Sequence, residues 1–371
     1  MRRKTSRSLF HLTVLGAIAL LLYLNRPSSN KSFPWTRIRY RSASAVPESR
    51  GVCPGLQKST KPALVVSRVT ADGDPSWLHG LSSSYHLCIY TVDAPDPRAT
   101  TLQVPANRGH EAMAYLTFLI DNYEHIPAAG AVFVHGSRFA WHNDHPIYDN
   151  AALLSALNVP AALQQDGYHN LRCDWSISTC PPSAAPQGSL ENTLRSVLEP
   201  WSARAASDTA LPRALAVLFG DHNRETFVQA KLGRNDAVRA QCCAQFVVAR
   251  EKIHRHSKEE YVALRQWLLD GMGRPSRRGA APADDRVAGR ILSYIWHILF
   301  LGYADGNHPL TSGVDLQQLN ARACPSAEAC YCRLYGRCNL RCLSPGSCVD
   351  EYSLPKGLKL PADWEETHRY A

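Results

Sequence analysis

Short apolar runs with the composition of buried strands alternate along this chain with segments of helical periodicity. Strands are predicted over residues 63–67, 87–92, 131–134 and 242–249. Helices are predicted over residues 111–123, 259–269 and 286–300. In the first of these helices Met113, Leu116 and Ile120 recur at helical spacing. This alternation of strands and helices predicts an α/β layer fold.

A basic segment followed by an apolar run opens the chain. Four basic residues precede a run from Leu9 to Leu24, which is slightly shorter than the roughly 20 residues of a membrane-spanning helix. No small-x-small cleavage pattern follows it. We therefore predict a cytosolic segment at residues 1–8 and a retained signal-anchor at 9–25, typical of a single-pass type II membrane protein. Removal of the segment as a signal peptide is the alternative.

The orientation of this anchor places the rest of the chain in the Golgi or endomembrane lumen, or outside the cell. Residues 26–60 lack apolar periodicity and predict a flexible stem. The sequon that begins at Asn30 is a predicted N-glycosylation site. The α/β domain is predicted at residues 61–323. The net charge of +9 lies largely in the N-terminal flank and stem, and no nucleic-acid-binding motif accompanies it, so no nucleic-acid partner is expected.

Half of the twelve cysteines lie in a segment at residues 324–348, which precedes a tail at 349–371. They are Cys324, Cys330, Cys332, Cys338, Cys342 and Cys348. The segment has no CxxC pair and no histidine, which favours disulfides over zinc. We expect a disulfide-rich extension stapled to the domain, with its pairing left open. Outside it, Cys53, Cys88, Cys173 and Cys180 are expected to pair in some combination, and Cys242 and Cys243 to point to opposite sides of a strand.

Polar residues follow each predicted strand, where ligands of α/β sheets bind. Residues 135–145 contain three histidines and an aspartate. His135, His142 and Asp144 are therefore candidate catalytic residues, with Asp144 orienting His142 as a general base. A divalent metal is a possible cofactor of the same residues. The alternative is a rigid structural loop.

Further polar and aromatic residues are candidates for substrate binding. They are Arg68, Asp93, Asn107, Arg108, Glu111, Trp141 and His297. The glycine turn before Glu111 presents backbone N–H groups that suit a phosphate, and Arg108 adds positive charge; a plain helix cap is the alternative. For His297, packing in the core is the alternative.

Ordered blocks of sequence carry a resemblance to a known family. They are NRGHEA (107–112), YLTFLIDNY (115–123), FVHG (133–136), WHND (141–144), GYHNLRC (167–173), CCAQF (242–246), RQWL (265–268), GR (289–290), WH (296–297) and CYC (330–332). From about Leu64 to Cys342 the chain resembles the mainly fungal family called domain of unknown function 3431. It departs from the family at His110, where an arginine is usual, and at Ser293 and Tyr294, where an acidic residue is expected. If that acidic residue is catalytic in other members of the family, the catalytic site of this chain is altered.

The chain is also similar to polysaccharide-synthesis glycosyltransferases in one further pattern. This pattern is the Asn-Arg-Gly-x-Glu turn at residues 107–111, the helix that follows it and the strand that ends at His135. This distant resemblance implies a glycosyltransferase-A-like three-layer fold. It also implies that Asp93, Asn107, Arg108, Glu111 and His135 surround a sugar nucleotide. The chain departs from the pattern because His135-Gly136 stands where an Asp-x-Asp metal motif is expected.

Three functional classes stay open on this basis. The first is a glycosyltransferase-like enzyme that acts on a sugar nucleotide. The second is a tailoring enzyme of a fungal secondary-metabolite pathway, with an apolar pocket for a small molecule. The third is a non-catalytic carbohydrate-binding or cell-surface protein. The substrate, the reaction and the oligomeric state do not follow from the sequence.

Overall fold

A mixed sheet of five strands forms the centre of the protein in a computed structural model that describes residues 2–24, 31–93, 102–273, 278–302 and 313–349. With strands numbered along the whole chain, its members are β2 (Ala63–Arg68), β3 (His86–Thr91), β4 (Ala131–His135), β5 (Tyr168–Asn170) and β6 (Phe246–Val248). They lie in the order β3-β2-β4-β6-β5. Strand β2 pairs in parallel with β3 and β4, whereas β6 is antiparallel to both β4 and β5.

Helices cover both faces of this sheet. Because side chains of a strand alternate between faces, Ala63 and Val65 pack into one apolar core and Leu64 and Val66 into a second. The first core includes residues of α2 (Glu111–Asp121), α6 (Ala203–Phe219), α7 (Arg224–Ala230), α8 (Arg250–Ile253), α9 (Lys258–Asp270), α10 (Asp285–Ser293), α11 (Ile295–Leu301) and α12 (Leu316–Ala323). The second includes residues of α3 (Asn150–Ala156), α4 (Val159–Leu163) and α13 (Ala327–Tyr335). The predicted α/β class is confirmed, with helix, sheet and helix in three layers.

Two predicted elements are shorter than expected. The run predicted as a strand over residues 242–249 forms β6 only from Phe246. Cys243 and Ala244 have φ angles of 83° and 47°, which remove them from extended geometry. The helix predicted over residues 286–300 divides at Tyr294 into α10 and α11.

The predicted flexible stem is wrong for the described residues 31–60. Phe33, Trp35, Ile38 and Tyr40 are buried in the first core. The indole Nε1 of Trp35 donates a hydrogen bond to the carbonyl oxygen of Ala230. Strand β1 (Ser32–Phe33) pairs with β7 (Val314–Asp315), which is far away in the sequence. This segment is therefore part of the domain, and its partners are residues that a local composition argument does not consider. The sequon residue Asn30 lies outside the described residues.

The N-terminal helix α1 (Arg2–Leu24) covers the predicted basic segment and the apolar run. In the part of the chain that the structure describes, no helix combines the length and the apolar character needed to cross a membrane. The retained signal-anchor at residues 9–25 stays a prediction.

All twelve cysteines form disulfides, but the C-terminal six do not pair only among themselves. Cys332 pairs with Cys338, and Cys342 pairs with Cys348 across the hairpin of β8 (Arg341–Ser344) and β9 (Ser347–Val349). The other bonds are Cys53–Cys88, Cys173–Cys330, Cys180–Cys324 and Cys242–Cys243. The predicted staple to the domain is confirmed. The expectation that Cys242 and Cys243 lie on opposite sides of a strand is wrong, because they precede β6 and bond to each other.

Burial of Trp35 gives a direct test of the packed N-terminal segment. We expect Trp35→Ala to lower the free energy of unfolding by about 3–5 kcal/mol, because it empties a fully buried site. Trp201 is 72 % exposed, and Trp201→Ala should cost less than about 0.5 kcal/mol. Chemical denaturation of both variants measures the difference. Equal stabilities would show that the segment from residue 31 does not pack on the domain.

The two bonds that join the domain to α12 and α13 should act non-additively. While Cys173–Cys330 is intact, Cys180–Cys324 closes a loop of only roughly 15 residues, so C180S/C324S should cost about 3 kcal/mol. Removing all four cysteines also opens a loop of more than 100 residues, worth about 5 kcal/mol more. The quadruple variant should therefore lose more than twice what C180S/C324S loses. Denaturation curves measure both losses. A quadruple variant whose free energy of unfolding falls by no more than twice the fall in C180S/C324S would contradict this prediction.

Candidate functional site

The carboxyl ends of β2 and β4 define the candidate site. From β2 the chain passes to β3 on one side and then crosses to β4 on the other, and such a switch point is where α/β sheets form a ligand crevice. The backbone of Gly136 follows β4 and lies against Arg68, so that a Cβ at this position would collide with Arg68. The two strand ends are therefore held close together at this edge.

Two carboxylates fix the turns beyond these strand ends. Asp72 accepts a hydrogen bond of 2.5 Å from the hydroxyl of Ser137 and one of 2.8 Å from the backbone N–H of Val69. Asp93, an exposed residue beyond β3, accepts from the N–H of Thr70 at 2.9 Å. The candidate substrate-binding residues Arg68 and Asp93 thus both lie at the predicted edge of the sheet. Arg68 is half-buried and donates from Nη2 to the carbonyl oxygen of Gly73 at 2.7 Å.

The structure brings the two candidate histidines together. His135 ends β4, and its Nε2 lies 2.9 Å from Asn143 Oδ1 and 2.9 Å from His142 Nε2. The amide nitrogen of Asn143 donates to the carbonyl oxygens of Arg138 and Tyr148, which leaves Oδ1 as the atom that faces His135. Because an amide oxygen only accepts, a neutral His135 carries its proton on Nε2 in this arrangement.

A buried chain of amides supports the histidine pair. Gln245 Nε2 donates to Asn143 Oδ1 at 3.1 Å, and Asn150 Nδ2 donates to Gln245 Oε1 at 3.0 Å. These contacts join the end of β4, the loop after it, the start of α3 and the residue before β6. Sequence reasoning did not select Asn143, Gln245 or Asn150. Asn143 and Gln245 lie in the WHND and CCAQF blocks of the family resemblance. Membership of these blocks was the feature of the sequence that could have identified them.

Asp144 lies in the same loop and anchors it. Its buried carboxylate accepts from the backbone N–H of Cys173 at 2.6 Å and from the hydroxyl of Tyr331 at 2.9 Å. Arg172 adds a second attachment, from Nη1 to the carbonyl oxygen of His142 at 2.9 Å. The carboxylate thus ties the loop to β5 and α13. The predicted orientation of His142 by Asp144 stays a prediction.

Trp141 is an exposed aromatic residue beside the histidine pair. It is 41 % exposed, and its ring meets that of His142 edge to face at 5.3 Å between centroids. His142 is half-buried, whereas His135 is buried. A ligand that covered Trp141 would therefore lie next to His142.

The turn before α2 differs from the predicted phosphate site. Arg108 is buried, and its guanidinium forms an ion pair of 3.0 Å with Asp285 and donates to the carbonyl oxygens of Pro282 and Ala283. Asp285 also accepts from the backbone N–H of Gly109 at 2.6 Å. The charge and the N–H that were expected to bind phosphate are thus used to hold the start of α10.

The other two candidates in this turn have more accessible side chains. Asn107 is exposed, and Glu111 is half-buried in the first turn of α2. Helix α2 packs on β2 and β4, and its Tyr115 contacts Phe133 ring to ring. Because Phe133 and His135 share a face of β4, Glu111 lies on the same face of the sheet as His135. Their predicted roles in binding remain predictions.

His297 lies in the core and not at this edge. It is almost fully buried in α11, and burial lowers its pKa from 6.5 to about 3. Neither ring nitrogen has a hydrogen-bond partner among the described residues. This placement favours the structural alternative given above for His297.

One group of possible metal ligands occurs within the described residues. It consists of Cys53, His86 and Cys88, whose two cysteines form a disulfide. A divalent metal held by His135, His142 or Asp144 stays a prediction.

Comparison with known proteins assigns the family. The model of a family described as a protein of unknown function, DUF3431, matches residues 64–333. The chain belongs to this family. The DUF3431 range includes β2 to β6 and the His135–His142 pair, whereas the packed segment before residue 61 precedes it. No curated protein and no solved structure matches the chain.

Burial of His297 predicts how the stability of this DUF3431 protein depends on pH. Its folded-state pKa lies below the unfolded value, so the stabilisation is complete above pH 6.5 and is lost as the pH falls toward 3. Between pH 6.5 and 4.5 the loss amounts to about 2 kcal/mol. His297→Leu should remove that part of the pH dependence, as measured by denaturation across this range.

A cavity variant next to His297 supplies the control. Ile298→Ala should lower the free energy of unfolding by a similar amount at every pH, because it removes buried methyl groups and no titratable group. A His297→Leu variant that kept the wild-type pH dependence would contradict the assignment.

Proposed function

We propose that the chain is a glycosyltransferase-like enzyme whose sugar nucleotide binds at the carboxyl edge of β2, β3 and β4. One observation carries the proposal. At the switch point of the sheet, a paired His135 and His142 lie beside an exposed Trp141. A general base can take the proton of an acceptor hydroxyl, and an aromatic surface beside it can bind a sugar.

The glycosyltransferase-A-like assignment of the fold is part of this proposal. It is supported by the three layers and by a sheet in which β6 alone runs against parallel neighbours. Residues 135–137, which read His-Gly-Ser, stand at the end of β4 in place of an Asp-x-Asp motif. The proposed enzyme therefore relies on Arg68 for the positive charge that a metal bound to an acidic motif supplies elsewhere.

The proposed chemistry assigns a role to each group at the edge. The histidine pair takes the proton of an acceptor hydroxyl, whose oxygen forms a bond to the anomeric carbon of the donor sugar. The bond from that carbon to the nucleotide phosphate breaks, and its electrons leave with the nucleoside diphosphate. Arg68 stabilises the growing phosphate charge. The buried Asn143 and Gln245 keep the pair in place, so that no energy is spent to orient it during transfer.

The aromatic surface at the site favours a sugar as the bound group. The face of an indole is electron-rich, and the C–H groups of a pyranose are weakly positive, so the two stack while the hydroxyls stay solvated. Trp141 is placed for this contact directly beside His142.

We further propose that the protein works in an oxidising compartment, either the secretory lumen or the cell exterior. The six disulfides support this, because such bonds persist where thiols are not kept reduced.

Binding of sugar nucleotides by the full chain tests the proposed function. We expect calorimetric titration with UDP-, GDP- and ADP-sugars, with and without Mn²⁺, to identify at least one ligand. Arg68→Ala should weaken its binding about 10- to 100-fold, since hydrogen bonds to a charged group contribute about 1.5–3 kcal/mol. Arg213→Ala, at an exposed position of α6, should leave it unchanged.

Turnover distinguishes an enzyme from a binding protein. His142→Ala should retain the ligand and lose transfer to acceptor sugars, measured as release of nucleoside diphosphate. Wild-type protein that binds without any release would instead identify a carbohydrate-binding protein. Wild-type protein that binds none of the sugar nucleotides would contradict the proposal.

A further inference from the structure

The disulfide between Cys242 and Cys243 joins two neighbouring residues at the edge of the sheet that holds the candidate site. Strand β6 is antiparallel to β4, and Phe246 pairs with Phe133. The residues that precede Phe246 therefore lie at the carboxyl end of β4, where His135 stands. Both cysteines are half-buried, so they are open in part to solvent.

This bond is poorly suited to act as a staple. A disulfide stabilises a fold mainly by closing a loop of the unfolded chain, and its effect grows with the length of that loop. The loop here consists of the two cysteines alone, whereas Cys173 and Cys330 lie 157 positions apart. The Cys242–Cys243 bond therefore acts on the local backbone.

The backbone at this bond has an unusual conformation. Cys243 and Ala244 have φ angles of 83° and 47°, in the left-handed region that residues with a Cβ rarely adopt. The bonded sulfurs close a small ring that contains the peptide bond between the two cysteines, which limits rotation of the backbone. The bond thus holds the chain in a turn that it would otherwise leave.

The turn determines where the support of the histidine pair lies. The carbonyl oxygen of Cys242 accepts a hydrogen bond of 3.1 Å from Asn170 Nδ2. Three residues further on, Gln245 Nε2 donates to Asn143 Oδ1 at 3.1 Å. The same Oδ1 faces Nε2 of His135. A change of the turn would therefore move the amides that fix the tautomer of His135.

We propose that the Cys242–Cys243 bond is a redox switch, which a dithiol opens to release the histidine pair from its fixed arrangement. One thiolate of the dithiol attacks a sulfur of the bond and forms a mixed disulfide, which the second thiolate then resolves. The dithiol becomes a disulfide, and its two electrons and two protons pass to the cysteines. Because the two thiols are adjacent, an oxidised dithiol closes the same bond again. The switch acts on the histidine pair itself, whether or not its ligand is a sugar nucleotide.

Reduction of the folded full chain tests this switch. After dithiothreitol and N-ethylmaleimide, mass spectrometry should find Cys242 and Cys243 labelled while the buried Cys173 and Cys330 stay bonded. Amides of residues 141–145 should then exchange hydrogen about tenfold faster, because the contact of Gln245 with the loop is lost. Proton–nitrogen NMR spectra of the imidazole rings should show that His135 no longer holds a single Nε2–H tautomer.

Two matched variants separate the bond from its effect on the backbone. C242A/C243A should exchange like the reduced wild-type protein, with or without dithiothreitol. C242A/C243G should exchange like the oxidised wild-type protein, because glycine adopts a φ angle of 83° without a disulfide. Dithiothreitol should change nothing in C242A/C243G, which controls for reduction of the other disulfides.

Three results would overturn the proposal. The first is an unchanged exchange rate at residues 141–145 in wild-type protein whose Cys242–Cys243 bond is reduced. The second is an equal response of C242A/C243G and wild type to dithiothreitol, because another bond would then be responsible. The third is labelling of Cys242 and Cys243 only together with Cys173 and Cys330, because the bond would then open only when the domain unfolds.

Discussion

The parallel pairing of β2 with both of its neighbours is the constraint on which the rest of the domain depends. A strand in this position is buried on both faces, and Leu64 and Val66 have no exposed surface. Both faces must then be covered by helices. Each connection between parallel strands must also return from the carboxyl end of one strand to the amino end of the next. Parallel pairing also places the carboxyl ends of these strands at the same edge of the sheet. The polar residues that follow β2 and β4 therefore lie close together there.

Much of the layer architecture could be predicted from the sequence, because a buried strand is a continuous apolar run and α2 has a clear helical period. The packing of residues 31–60 could not. Trp35 and Ile38 stand among basic and small residues, so that local composition resembles a linker. Their hydrogen-bond partners are the carbonyl oxygen of Ala230 and the carboxylate of Glu260, each about 200 residues away in the chain. Only the folded chain reveals those contacts.

The candidate site could also be predicted only in part. Sequence reasoning selected His135 and His142 because histidines at the end of a strand are conspicuous, and the structure places their rings together. It gave Arg108 a ligand role that depended on the guanidinium being free. The carboxylate that pairs with that guanidinium belongs to Asp285, which lies 177 residues further along the chain. Chemical type is visible in a sequence, whereas the satisfaction of a buried polar group by a distant partner is not.

The hydroxyl of Tyr331 reaches back to Asp144 in the histidine loop, and Cys330 beside it is bonded to Cys173. The ribosome synthesises the N-terminal part of the chain first. The histidine loop therefore lacks these two contacts until almost the whole domain has been made. Until then Cys173 and Cys180 are thiols beside a loop that lacks its final anchor. Completion of the site therefore requires α13, and a product truncated before α13 would lack both the contact of Tyr331 with Asp144 and the Cys173–Cys330 bond.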